Sequence, residues 1–301
     1  MQPYDEFGLF QENATEAGLA WAGPPSVART AVDVGGGRRL SALVWRTGDP
    51  EFVLLHGGGQ NAHTWDTVAL ALGRPLVAVD LPGHGHSDWR EDHDYSPATN
   101  AADVAVAVRE LAPNAQLVVG MSLGGLTAIR LTAEHPELVR RLALVDVTPG
   151  ADEVKAEPII AFLSGPERFA SFDEILDRTV QYNPTRTVSS LRRGVLHNAK
   201  EEPDGSWTWR YDSVRSWKRE GSNASAAALS FTSLWDDVAG VQVPLLLLRG
   251  DQSGVVTDDD VEELKERNPA ARVVTVAGAG HSIQGDKPVE LAALLDRFLT
   301  A

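Results

Sequence analysis

The sequence predicts an α/β fold: a mostly parallel sheet with helices on both faces. Three observations carry this. After two strands at the start, short β-branched apolar runs alternate with amphipathic stretches of helical period. Gly-rich turns follow the carboxyl ends of those runs, at His56-Gly57-Gly58-Gly59, Leu81-Pro82-Gly83-His84-Gly85 and Gly278-Ala279-Gly280-His281. A G-x-S-x-G, Gly120-Met121-Ser122-Leu123-Gly124, stands between an apolar run and a helical one. In open parallel sheets ligands bind beyond the carboxyl ends of the strands, so these turns are expected on one edge.

The elements follow in order. Residues 1–27 contain Gly23-Pro24-Pro25 and read as an N-terminal extension or short helix lying on the domain. Strands at 28–34 and 39–46 are joined by Gly35-Gly36-Gly37, a hairpin signal. A buried strand at 52–55, a helix at 64–72, a strand at 75–80 and a helix at 98–111 come next; Val104, Val108 and Leu111 share a face of the last. The run from Ala115 is the central strand, and Leu126, Ile129 and Leu131 lie on the apolar side of the helix after it. A sixth strand covers 141–147. Alternation stops at Thr148-Pro149-Gly150 and resumes with a strand at 243–249, a helix at 258–267, a strand at 272–276 and a helix at 289–299. The core is thus 28–149 and 236–301, an eight-stranded sheet. Residues 150–235 form a helical cap inserted after the sixth strand, with no clear buried strand of their own. A second helical domain placed elsewhere is the competing reading.

The 301 residues carry a formal net charge of -15, which disfavours nucleic acid and anionic membrane surfaces as partners. With no Cys, disulfides, thiolate catalysis and Cys-ligated zinc are excluded. No apolar run approaches the ~20 residues that span a bilayer. The start of the chain lacks the pattern of a signal peptide, so a cytoplasmic protein is expected.

Leu54-Leu55-His56-Gly57-Gly58-Gly59, Asp80-Leu81-Pro82-Gly83-His84-Gly85-His86-Ser87-Asp88, Gly120-Met121-Ser122-Leu123-Gly124-Gly125 and Gly278-Ala279-Gly280-His281 share order and spacing with one family. Through them the chain resembles the α/β-hydrolase superfamily over nearly its whole length. The cap is where that family diverges.

Ser122 is the expected nucleophile; the bland alternative is a serine capping a helix. A serine hydroxyl needs a base, and His281 follows the last apolar strand, C-terminal to the other candidates. Two acids end strands, Asp146 and Asp251. The resemblance places the commoner acid at the last position of a G-x-x-D, where this chain has Ser253. A subset of the family carries its acid one strand earlier, which favours Asp146 and leaves Asp251 in reserve. The resemblance puts the oxyanion hole on the backbone N–H groups of Gly58 and Leu123. Gln60 and Asn61 are further candidate donors. His84-Gly85-His86-Ser87-Asp88 has the form H-x-H-x-D of a metal site, but Trp89 stands where the final His belongs, so no metal is expected.

Phe162, Phe169, Trp207 and Trp209 are the candidate substrate-binding residues; Trp217 belongs with them, and all five have an ordinary alternative as the cap's own core. The cap's charges nearly cancel, so a carboxylate-bearing substrate stays open. The expected activity is cofactor-free hydrolysis of a carboxylic ester or lactone of a small to medium, partly apolar acid, through an acyl-enzyme. C–C bond hydrolysis of a diketone-type substrate and a ligand-binding, receptor-like member of the fold are the alternatives.

Overall fold

The structure, a computed structural model, describes residues 4–213 and 231–301. Helix α1 (Phe10–Glu16) belongs to the N-terminal segment and is held by Phe10, fully buried with its ring 4.8 Å from that of Trp45. The hairpin β1 (Val27–Gly35) and β2 (Arg38–Trp45) turns through Gly35, Gly36 and Gly37, all at positive φ, where Gly alone is unstrained. Then come β3 (Phe52–Leu55), a 3-10 turn Ala62–Trp65 running into α2 (Asp66–Leu72), β4 (Leu76–Val79), α3 (Pro97–Leu111), β5 (Leu117–Met121), α4 (Leu123–Glu134) and β6 (Leu142–Val145).

Between β6 and the return to the core lie α5 (Glu157–Leu163), β7 (Arg168–Phe169), α6 (Phe172–Tyr182), α7 (Val188–Asn198), β8 (Ala199–Glu201) and β9 (Trp207–Trp209). The core resumes with α8 (Leu234–Gly240), β10 (Leu245–Gly250), α9 (Asp258–Arg267), β11 (Arg272–Val276), α10 (Ile283–Asp286) and α11 (Pro288–Thr300).

The main sheet has eight strands in the order β1-β2-β4-β3-β5-β6-β10-β11. Only the pairs β1–β2 and β2–β4 are antiparallel. Side chains alternate between two apolar layers: Val53 and Leu55 enter one, Phe52 and Leu54 the other. Burial on both faces is why the parallel strands read as continuous apolar runs rather than as alternation.

The expectation of a cap without strands is corrected. Strands β7, β9 and β8 pair antiparallel in that order, Phe169 opposite Trp207. They are only two or three residues long, too short for a period-2 pattern to show. Phe169, Phe172, Ile175, Trp207, Trp209 and Tyr211 close around them as a separate aromatic core. Ser171 and Thr187 cap α6 and α7, each accepting a backbone N–H of the first turn. Trp235, within the range expected for the cap, packs in the main core on α8. Trp217 lies outside the described residues.

Candidate active site

Strand β5 passes into α4 through Ser122, at φ 50° and ψ −121°, a conformation that non-Gly residues rarely hold. The glycines around it make the turn possible. A Cβ on Gly120 would stand 2.3 Å from the Gly124 carbonyl oxygen, and one on Gly124 would stand 2.4 Å from that of Leu55. Only Gly at both positions lets strand and helix approach this closely. The bland reading of Ser122 fails at this point: its hydroxyl makes no capping hydrogen bond to α4.

Asp146 follows β6, fully buried and also at positive φ. Its Oδ2 accepts the His281 Nδ1–H at 2.8 Å, and its Oδ1 accepts the Gly250 N–H at 2.9 Å. The Ser253 hydroxyl donates to Oδ2 as well. Because the carboxylate can only accept, His281 carries its proton on Nδ1 and keeps Nε2 as the free basic nitrogen. The reserve acid Asp251 is not brought to His281. It is exposed and accepts the Gly278 N–H at 2.7 Å, anchoring the loop that carries the histidine. Gly280 in that loop donates to Asp286 Oδ2 at 2.9 Å.

The Gly57-Gly58-Gly59 loop is tied on both sides of Gly58. Gly57 N–H donates to Gln60 Oε1 at 3.2 Å, and Gly59 N–H to His84 Nε2 at 3.1 Å. Among the described residues no acceptor faces the N–H of Gly58 or of Leu123, which opens α4. Gln60 thus braces the loop through its Oε1 while also lining the cavity. Asn61 Nδ2 reaches across to the His197 carbonyl oxygen at 3.0 Å, joining the core to the cap.

His84 and His56 are loop supports. Burial pushes the His84 pKa down, and its Nδ1–H donates to the Pro82 carbonyl at 2.9 Å. Burial, with His84 alongside, pushes His56 down to about 3, and its Nε2 accepts the Leu81 N–H at 2.9 Å. His84, His86 and Asp88 do not converge as metal ligands.

Ser122, His281, Gly58 and Met121 open on a cavity of about 1100 Å³ under the cap. Phe162, Leu163 and Trp209 line it from above. Phe169 and Trp207 do not, which corrects their assignment as substrate-binding residues. Phe169 sits edge-on to Trp209 and Trp207 edge-on to Phe172, so both rings are used up inside the cap.

One buried cluster escaped the sequence reading. His63 Nδ1 is 2.9 Å from Asp66 Oδ2, and its Nε2 is 3.1 Å from Glu6 Oε1. His197 of α7 stacks on the His63 ring at 3.8 Å between centroids, and its Nδ1 meets the Tyr4 hydroxyl at 2.6 Å. The cluster binds the N-terminal segment, the core and the cap together. Burial opposes charge on His63, but the charge of Asp66 and the hydrogen bonds to Asp66 and Glu6 outweigh it and push the pKa up to about 9. His197 is pushed well below the usual range by burial and by the His63 charge. Ligand atoms of His63, Asp66 and His197 lie within 4.8 Å of one another, the single such group among the described residues. Since both ring nitrogens of His63 face carboxylates, the arrangement is that of a charged latch. Nothing in the spacing of Tyr4, Glu6, His63, Asp66 and His197 along the chain announces it.

The chain belongs to the α/β-hydrolase fold family, whose model matches residues 50–288. It is 49% identical to the esterase Rv0045c of Mycobacterium tuberculosis over 97% of this chain and 94% of that protein. It is 28% identical to the pimeloyl-[acyl-carrier protein] methyl ester esterase of Aeromonas hydrophila, over 86% of this chain and all of that protein. The crystal structure of the M. tuberculosis esterase superposes with a TM-score of 0.87 at 47% identity, covering all of both chains.

Proposed function

We propose that this ester-cleaving hydrolase acts through Ser122, His281 and Asp146 on small to medium, partly apolar carboxylic esters or lactones. The observation that carries the reading is the buried Asp146–His281 pair at 2.8 Å, opening on the same cavity as a strained, uncapped Ser122. His281 Nε2 takes the Ser122 proton as Oγ attacks the carbonyl carbon, and Asp146 stabilises the imidazolium. The N–H groups of Gly58 and Leu123 receive the oxyanion as charge develops on it. The alcohol leaves with the proton from His281. Water, deprotonated by the same nitrogen, then releases the acid from the acyl-enzyme. No step needs a cofactor. The apolar wall of Phe162, Leu163 and Trp209 suits an aliphatic chain on the acyl or alcohol side.

The test is labelling by a fluorophosphonate probe, mapped by peptide mass, beside hydrolysis of a 4-nitrophenyl ester. Wild type labels at Ser122, and Ser122→Ala loses both labelling and turnover, by about 10⁶-fold in kcat. Turnover retained by folded Ser122→Ala overturns the mechanism. A folded wild type that neither labels nor turns over favours a receptor-like role.

A further inference from the structure

Arg186 stands on the turn between α6 and α7 and lines the cavity. Its guanidinium lies against Gly285 of α10, a few residues beyond His281: a Cβ on Gly285 would be 2.6 Å from its Cζ. Among the described residues only Nη2 of its guanidinium donors has a protein partner, the Ser190 hydroxyl. Nε is buried with none, and Arg186 forms no ion pair among the described residues. Two acidic groups influence its charge, Asp286 and Glu16, and neither forms an ion pair with it. Glu16 pairs with Arg193 and accepts from Thr187. Asp286 accepts the Gly280 N–H.

Lys287 lines the same wall, its ammonium against Gly278, and it too has no ion pair among the described residues. Scarcity of carboxylates does not explain this, since the chain has 42 Asp and Glu against 27 Lys and Arg. A guanidinium partly drawn out of water with no carboxylate in direct contact is costly, and burial pulls its pKa down, offset only in part by the charges of Asp286 and Glu16. The cost is removed when an anion enters.

We propose that Arg186 binds a carboxylate carried by the substrate, so that the preferred ester bears an anionic group remote from its scissile bond. This rests on the reading of Ser122 as the nucleophile of an ester hydrolase. A carboxylate is the ligand that matches the planar, two-pronged guanidinium. Lys287, a point charge on the same wall, adds to the attraction without fixing orientation. Residues of the apolar cap wall then hold the chain that separates the carboxylate from the carbonyl over Ser122.

Two measurements test this. In the first, kcat/KM is compared for 4-nitrophenyl octanoate and mono-4-nitrophenyl suberate, which differ by a terminal carboxylate. The ratio of carboxylate-ended to neutral substrate should fall at least tenfold in Arg186→Gln, fall further in Arg186→Glu and recover in part in Arg186→Lys. If Arg186 only packs α10 against the cap, both substrates suffer alike; an unchanged ratio in Arg186→Gln overturns the proposal. In the second, suberate dianion is titrated calorimetrically into the full chain. Saturable binding by wild type, weakened tenfold or more in Arg186→Gln, supports the assignment; no binding, or equal binding by both, overturns it. The titration decides the matter even if neither ester is turned over, an outcome that would count against the hydrolase reading alone. Arg186→Lys supplies the comparison if Arg186→Gln does not fold.

Discussion

The Ser253 hydroxyl donates to the Oδ2 of Asp146, the same oxygen that accepts the His281 Nδ1–H. Ser253 occupies the place after β10 where related hydrolases more commonly carry the acid. In the triad we propose, the acid, Asp146, stands one strand earlier, and the later place holds a hydroxyl that donates to it. With Gly250 donating to Oδ1, the carboxylate is held by three donors and has one orientation available.

Asp146→Asn should therefore lower kcat by about 10⁴-fold, the scale on which an orienting carboxylate acts in Ser-His-Asp hydrolases. Ser253→Ala removes one charge-assisted hydrogen bond and should cost about tenfold, with Ser253→Thr largely restored. The double variant Asp146→Ser, Ser253→Asp moves the acid to the commoner place. It should recover part of the Asp146→Asn loss, measured as kcat/KM on one 4-nitrophenyl ester. A double variant no better than Asp146→Asn would show that only the strand β6 position can reach His281.

Much of this was legible from residue order. The apolar runs located the strands because burial on both faces leaves no room for polar positions, and Ser122 and His281 were marked by their Gly-rich surroundings. Asp146 was separable from Asp251 only by the resemblance, since both simply follow strands. The short strands of the cap carried no period to read. The His63–Glu6–Asp66–His197 latch was invisible because it joins three segments distant in sequence, and no local rule links them. Arg186 looked like any other arginine among a cap whose charges cancel; only the structure shows that it lines the cavity with no ion pair among the described residues.

The latch should make stability pH-dependent. Burial disfavours charge on Glu6, but hydrogen bonds from His63 and Arg29 outweigh it and hold the carboxyl down at about 2, while His63 is held up at about 9. The raised His63 contributes stability fully below its unfolded pKa of ~6.5, and that contribution is lost as pH rises through about 9. The depressed Glu6 contributes above ~4.5 and loses its part only as pH falls through about 2. Thermal unfolding should therefore show Tm falling by several degrees from pH 6.5 to pH 9. The shift corresponds to roughly 3 kcal/mol at most, shared among the coupled groups. His63→Gln should be less stable at pH 6.5 and should flatten that slope. An unchanged slope would mean that His63 is not charged in the folded state.

Two glycine substitutions should act in opposite directions. Gly124→Ala places a Cβ 2.4 Å from the Leu55 carbonyl oxygen, in backbone that cannot yield, and should cost about 3 kcal/mol or more along with activity. Gly194 lies inside α7, where an added Cβ would meet nothing within 4 Å, so Gly194→Ala should gain about 0.5–1 kcal/mol by helix propensity. Urea unfolding midpoints at constant m-value separate the two cases.

The cap tryptophans should divide by function. Trp209 faces the cavity and touches Phe162, with ring centroids 5.7 Å apart, whereas Trp207 is spent against Phe172 at 5.1 Å. Trp209→Ala removes apolar surface from the substrate wall, so KM for a long-chain 4-nitrophenyl ester should rise about tenfold while a short acetyl ester changes little. Trp207→Ala opens a hole in the cap's own core and should cost about 3 kcal/mol of stability, with the long-to-short preference kept. The measurement is the ratio of kcat/KM for the two esters in each variant, read beside its unfolding midpoint. Equal changes of preference in both variants would mean that the cap recognises substrate through its overall position, with the chemistry of Trp209 playing no separate part. Opposite behaviour would place the chain-length determinant at Trp209, at the end of β9 that reaches the cavity, two residues from a ring that serves only to hold the cap together.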